Sequence, residues 1–179
     1  MLKASDVMGR PVIIRDGGII AGRVKDFVID RSGSKVLGLM IGQGMFKGAK
    51  VAPWAEMRSI GPDSVVLGSG ASIAKTGEAA ADIKDALDND TKIRGLQLQT
   101  TEGKHLGVVE DFFFNESTAE VEGYEISGGV FSDALGGRSF LPVPASLELG
   151  QHVAFVDPEV ETSITPSQGG IKGVFKKYE

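Results

Sequence analysis

The stretch "GRVKDFVIDRSGSKVLGLMI", Gly22 to Ile41, is written again 85 positions later as "GVVEDFFFNESTAEVEGYEI", Gly107 to Ile126. Eight of these twenty positions are identical without a gap: Gly22/Gly107, Val24/Val109, Asp26/Asp111, Phe27/Phe112, Ser32/Ser117, Val36/Val121, Gly38/Gly123 and Ile41/Ile126. The match runs on to Phe46/Phe131, then resumes at an offset of 89 with Pro53 against Pro142 and Ile60-Gly61 against Leu149-Gly150. The four added residues fall in "GGVFSDALGGRS", the counterpart of "GQGMFKGAK", and insertions belong in surface loops. Two copies of one unit therefore share a chain of 179 residues, a length that suits two small domains.

Each copy is a series of short runs rich in Val, Ile and Phe, separated by turn residues, the pattern of a small all-β barrel or sandwich. The first copy offers "PVII", "GRVKDFVID", "KVLGLMIG", "AKVAP", "EMRSI" and "SVVLG". Between them, "RDGG" and "DRSGS" carry the Asp, Ser and Gly of tight turns. The second copy offers "LQLQ", "GVVEDFFFN", "EVEGYEIS", "SFLPV", "SLEL" and "HVAFV". Closed barrels are expected, because closure leaves no bare sheet edge. The sequence thus predicts an all-β chain of two tandem barrels, residues 1–75 and 91–164, with a linker over 76–90 and a flexible tail over 165–179. Glu78 to Leu87 are good helix formers, and Ile83 and Leu87 share a face, so the linker is expected to hold a short connecting helix.

The repeated strand contains a conflict. Strict alternation puts Val24, Asp26 and Val28 on one face and Lys25, Phe27 and Ile29 on the other, so either an aspartate turns inward or two large apolar residues turn out. A bulge near Lys25-Asp26 resolves it, and Gly22 suits a sharp bend. On this reading Asp26 and Asp111 accept hydrogen bonds from backbone amides freed by the bend. The functional alternative is a ligand or proton site, which one aspartate without a convergent partner serves poorly.

Hydrophobic residues at 41% and charged residues at 24% describe a globular chain, not a disordered one. The absence of cysteine excludes disulfides, thiolate catalysis, iron-sulfur ligation and cysteine-based zinc sites. "MLKASDVMGR" lacks an apolar leader segment, and no run approaches the roughly 18 apolar residues of a spanning helix, so a cytoplasmic protein is expected. The net charge of −5 is unevenly spread: residues 1–75 carry +5, residues 76–164 carry −12 and residues 165–179 carry +2. Such asymmetry marks either a polyanion-facing end, a self-complementary association, or solvated faces that differ by drift.

The two repeated stretches resemble the core of the PRC-barrel family, in which a Gly-x-Val-x-Asp strand leads through a turn to a Val-x-Gly strand. "KVAPWAEMRSIGPDSVVL" and "RSFLPVPASLELGQHVAFV" are similar to that family's usual ending, and the likeness covers nearly all of residues 7 to 160. The resemblance implies two small barrels and a binding or assembly role, as in the cytoplasmic domain of the photosynthetic reaction-centre H subunit and the C-terminal domain of a ribosome maturation factor. The chain shows neither a spanning helix like the former's nor anything like the latter's N-terminal domain, so neither specific function transfers. Gly22, Asp26 and Gly38, with Gly107, Asp111 and Gly123, are its structural motif positions.

No nucleophile elbow, Walker loop, calcium loop or histidine pair at metal-ligand spacing occurs, so no enzymatic activity, metal or cofactor is expected. His105 and His152 read as ordinary surface or barrel-end residues. Met45-Phe46 and Val130-Phe131, with Leu135, place apolar residues in glycine-rich loops that either fold over the barrel or dock a partner. In the tail, Ile171, Val174, Phe175 and Tyr178 recur at helical spacing beside Lys172, Lys176 and Lys177, a segment suited to a groove, its own acidic barrel, or weak contact with an anionic membrane. The leading expectation is a protein-binding adaptor whose barrels differ in charge, with a protein partner or copies of itself as the ligand. The alternatives are RNA or ribonucleoprotein binding through Arg23, Lys25, Lys47, Lys50 and Arg58, and, last, a small-ligand site or enzyme.

Overall fold

The computed structural model describes residues 1–42, 50–69, 73–89, 92–129 and 138–166. The chain opens with β1 (Leu2–Lys3) and α1 (Ala4–Val7). The first repeat follows as β2 (Pro11–Ile14), β3 (Ile19–Ile29), β4 (Val36–Gly42), β5 (Lys50–Pro53), β6 (Met57–Ile60), β7 (Val65–Leu67) and β8 (Ala74–Lys75). After helix α2 (Ala81–Asp88) come β9 (Gln97–Thr100), β10 (His105–Phe114), β11 (Val121–Ser127), β12 (Arg138–Pro142), β13 (Glu148–Leu149), β14 (Val153–Val156) and β15 (Thr165–Pro166).

The first sheet runs β6-β7-β2-β3-β4-β5-β8, and the second repeats it strand for strand as β13-β14-β9-β10-β11-β12-β15. Neighbours are antiparallel except β2 with β7 and β9 with β14, which are parallel. Both sheets curl into barrel-like units, as the two tandem barrels expected from the sequence; among the described residues no strand pairing joins their end strands. The end strands β6, β8, β13 and β15 have two to four residues, and shortness is one way to make a bare edge harmless.

The conflict in the repeated strand is resolved as the sequence suggests. Pairing of β3 with β4 skips Lys25, and pairing of β10 with β11 skips Glu110, so both are bulged. Beyond the bulge the faces exchange: Val24, Phe27 and Ile29 enter the main core while Val28 packs in a separate outer cluster. A second slip beside Gly22 and Gly107 bends each strand again, with φ of 147° and 144° that a side chain would oppose. Gly38 and Gly123 serve close strand approach instead. A Cβ there would sit 2.6 Å from the Ala52 carbonyl oxygen and 2.7 Å from that of Leu141.

Three segments differ from the sequence reading. Residues 2–3, counted with the first unit, form β1 and pair with the outer end of β10, Leu2 opposite Phe114 and Lys3 opposite Phe113. The linker helix begins at Ala81, after a single 3-10 turn over Thr76–Glu78, and it is more than a connector. Its Ile83 and Ala86 are buried on Val28 and Val51, so it covers the outer face of the first sheet. Thr165 and Pro166, assigned to a flexible tail, pair with Phe140 and Ser139 of β12.

The repeats pack on each other reciprocally, as an approximate two-fold between them requires. The Val36 amide donates to the Ala119 carbonyl and the Val121 amide to that of Ser34, each at 2.8 Å, around a Lys35/Glu120 bridge. The equivalent rings of Phe27 and Phe112 meet edge to face at 5.3 Å, and Trp54 meets Phe114 at 5.8 Å. Val24, Leu39 and Val65 of the first repeat share one core with Val109, Phe112 and Tyr124 of the second. Each such ring contributes roughly 1.5–3 kcal/mol over its exposed state, and neither repeat buries its share alone.

Candidate functional site

The repeated aspartates are held by donors. Asp26 Oδ1 accepts the Phe27 amide at 2.9 Å and the Arg94 guanidinium at 2.8 Å, and Asp111 Oδ1 accepts the Phe112 amide at 2.9 Å. The Asp111 Oδ2 takes the Ser5 amide at 3.2 Å with Lys3 Nζ at 3.9 Å. Each aspartate thus pins the segment that leads into the other repeat, a role its strand alone does not reveal. Asp111 and its cross-strand neighbour Glu125 are both buried, and this like-charge pair is offset by Lys3 and Arg138, which reach Glu125 at 2.8 and 3.0 Å. Asp26 stands instead opposite Met40 and borders a cavity of about 340 Å³ with Lys92, Arg94 and Glu110.

Of the basic candidates, Arg23 and Lys25 are exposed on β3 and Lys50 on β5. Arg23 donates to the Gly9 carbonyl at 2.9 Å, the aliphatic stem of Lys25 lies over Gly42, and Lys50 is the cross-strand neighbour of Lys75. Among the described residues, no exposed aromatic ring accompanies them on these strands. Met45, Phe46, Lys47, Phe131, Leu135, Phe175 and Tyr178 lie outside the described residues. His105 and His152 are exposed, and no group of three or more His, Asp or Glu is placed to hold a metal among the described residues. No helix there is long and apolar enough to cross a membrane.

Among the described residues, the most exposed large apolar side chains lie outside every sequence motif named above. Val12 and Val65 point into the core, so their neighbours Ile13 and Val66 point out, and pairing aligns Ile20, Ile13, Val66 and Ser59 across β3, β2, β7 and β6. Ile20 is 63% exposed and Ile19, beside it at the hairpin tip, 56%. Exposed arginines stand on the same strands: Arg15 follows β2, Arg23 lies on β3 opposite Pro11 and Arg58 precedes Ser59 on β6. The same row in the second repeat is His105, Gln99, Phe155 and Glu148, polar apart from one ring. A shared backbone therefore carries an apolar, arginine-rimmed face in one copy only. The signal was present as "PVIIRDGGII", where doubled isoleucines flank the turn and break the alternation of a half-buried hairpin.

Among the described residues, Tyr124 is the group whose proton affinity is clearly displaced. Burial first, and then the charge of Asp30, push its phenol well above the usual tyrosine range, so it stays a donor to the Gly33 carbonyl at 2.8 Å.

A search of curated proteins finds no match to the chain. The family model of the PRC-barrel domain matches twice, over residues 1–72 and 87–162, which take in the leading segment and the first six strands of each repeat, short of β8 and β15. With that coverage, and with the bulged Gly-x-Val-x-Asp strand built alike in both halves, the chain belongs to the PRC-barrel family as a tandem member.

Proposed function

We propose that the protein is a non-enzymatic assembly module that docks a protein partner on the outer face of the first repeat. The observation that supports this is the outward-facing Ile20-Ile13-Val66 row, with Ile19 and Ile20 exposed, Ile13 and Val66 half-buried and exposed arginines on the same strands, where the second repeat keeps a mostly polar row on the same backbone. Exposed apolar surface with a polar rim is characteristic of interfaces, and the arginine rim selects a partner with an acidic border. The double variant Ile13→Ser, Ile20→Ser tests it by cross-linking and co-purification from the native host. Ile20 is exposed and Ile13 half-buried outside the core, so the double change should cost no more than about 1 kcal/mol and leave the fold intact while a specific partner is lost. An identical set of partners for variant and wild type overturns the reading.

RNA binding is the second reading, drawn from the adjacent Lys50 and Lys75 on the β5–β8 pair. Filter binding of single-stranded RNA decides between the two. Affinity that falls steeply with salt and with Lys50→Glu favours RNA, because phosphate contacts release counterions.

A further inference from the structure

The turns leaving β3 and β10 both cross to the other repeat, and they meet different surfaces. On one side Gly33 is buried so tightly that a Cβ would stand 2.8 Å from the Tyr124 hydroxyl and 3.0 Å from Leu147. On the other, Arg58 occupies the position equivalent to Leu147 and Leu39 that equivalent to Tyr124. An exposed cation and a shorter side chain do not fill the space, and a cleft of about 430 Å³ remains. Trp54, Met57, Arg58, Ser59 and Ile60 form one wall, with Glu116 and Ser117 of the β10–β11 turn opposite.

Three properties of this wall converge on one ligand class. β6 is a terminal strand that pairs with β7 alone among the described residues, so one row of its backbone groups has no strand partner. Trp54, Met57 and Ile60 are only partly buried and offer an apolar seat. Arg58 is exposed and makes no ion pair or hydrogen bond with any described residue.

We propose that the cleft captures an extended peptide segment that lies along β6, seats a large apolar side chain on Trp54 and presents a carboxylate to Arg58. Strand addition of this kind takes affinity from main-chain hydrogen bonds and specificity from the side chains between them. Glu116 on the far wall repels surplus acidic residues and so limits the segment to a local negative charge. The site shares Ser59 and Arg58 with the border of the isoleucine row, but its apolar seat and its strand edge do not depend on that face being an interface.

The test is fluorescence anisotropy with an end-capped decapeptide of alternating Val and Thr that carries one central Phe and a single Asp near it, against the same peptide with Lys for Asp. The acidic peptide should bind and the lysine peptide should not. Arg58→Glu should weaken binding about tenfold, and Glu116→Gln should strengthen it. Hydrogen exchange should slow at the amides of residues 57–60. The Ile13→Ser, Ile20→Ser variant should bind the peptide as wild type does, which separates this site from the face above. Equal binding of both peptides, indifference to Arg58 and Glu116, protection elsewhere, or no binding at millimolar peptide would each overturn the proposal.

Discussion

At the scale of single residues, one motif position has two environments. Asp26 is partly exposed, with a bulge amide and Arg94, whereas Asp111 is buried with a bulge amide, the Ser5 amide and Lys3 nearby. Removing a carboxylate from a buried charged network leaves partners without compensation, while an exposed ion pair is worth little. Asp111→Ala is therefore expected to cost about 2–3 kcal/mol and Asp26→Ala about 1 kcal/mol, read from urea unfolding. Tyr124 carries a pH dependence whose sign follows from its raised phenol. Above a pH of about 10 the unfolded chain loses this proton while the folded chain keeps it, so stability falls as pH rises from there. Tyr124→Phe should abolish that part of the alkaline slope and cost about 1 kcal/mol at neutral pH for the lost bond to Gly33. An unchanged slope would place the alkaline sensitivity elsewhere.

At the scale of elements, the leading segments are the parts that reading along the chain misassigned. β1 and α1 precede the first repeat but dock on the second, where Leu2 and Lys3 extend β10 and Ala4 and Val7 enter the core. Two strand residues carry no readable periodicity, and their partner lies more than 100 positions away. The strand β10 was legible because its apolar run is long; its partner was not. Deleting residues 1–7 should accelerate hydrogen exchange in β10 and β11 while β3 and β4 stay protected, because Asp111 and Glu125 lose the Lys3 charge. Faster exchange confined to β3 and β4 would reverse the assignment. The helix α2 was legible from its composition, but its role was not: Ile83 and Leu87 were visible as one face, and only packing shows that this face seals Val28 and Val51. Ile83→Ala should cost about 2–4 kcal/mol by thermal or urea unfolding, the range for a buried aliphatic side chain.

At the scale of the whole molecule, the two repeats are one cooperative object. Phe27, Phe112, Phe114 and Trp54 form a ring cluster that spans both, and the backbone bonds around Lys35 and Glu120 tie them again. A single calorimetric transition is expected, and Phe27→Ala should lower its midpoint as a whole instead of splitting it; two transitions would show that the repeats melt independently. The sequence alone determined the duplication, the main strands met along each copy and the bulged Gly-x-Val-x-Asp bend, because these rest on local alternation and on residue types that few backbone conformations accept. It also placed the doubled isoleucines beside a turn, without showing that they face solvent. Tertiary structure decided which repeat each leading segment serves, which face of the first sheet α2 covers, and where the copies differ in surface: an apolar row on one and a cleft under Trp54 where the other is sealed by Tyr124, Leu147 and Leu149. Those outcomes depend on contacts between residues far apart in the chain, whose energies are set by shape and burial and leave no periodic trace in the order of the amino acids.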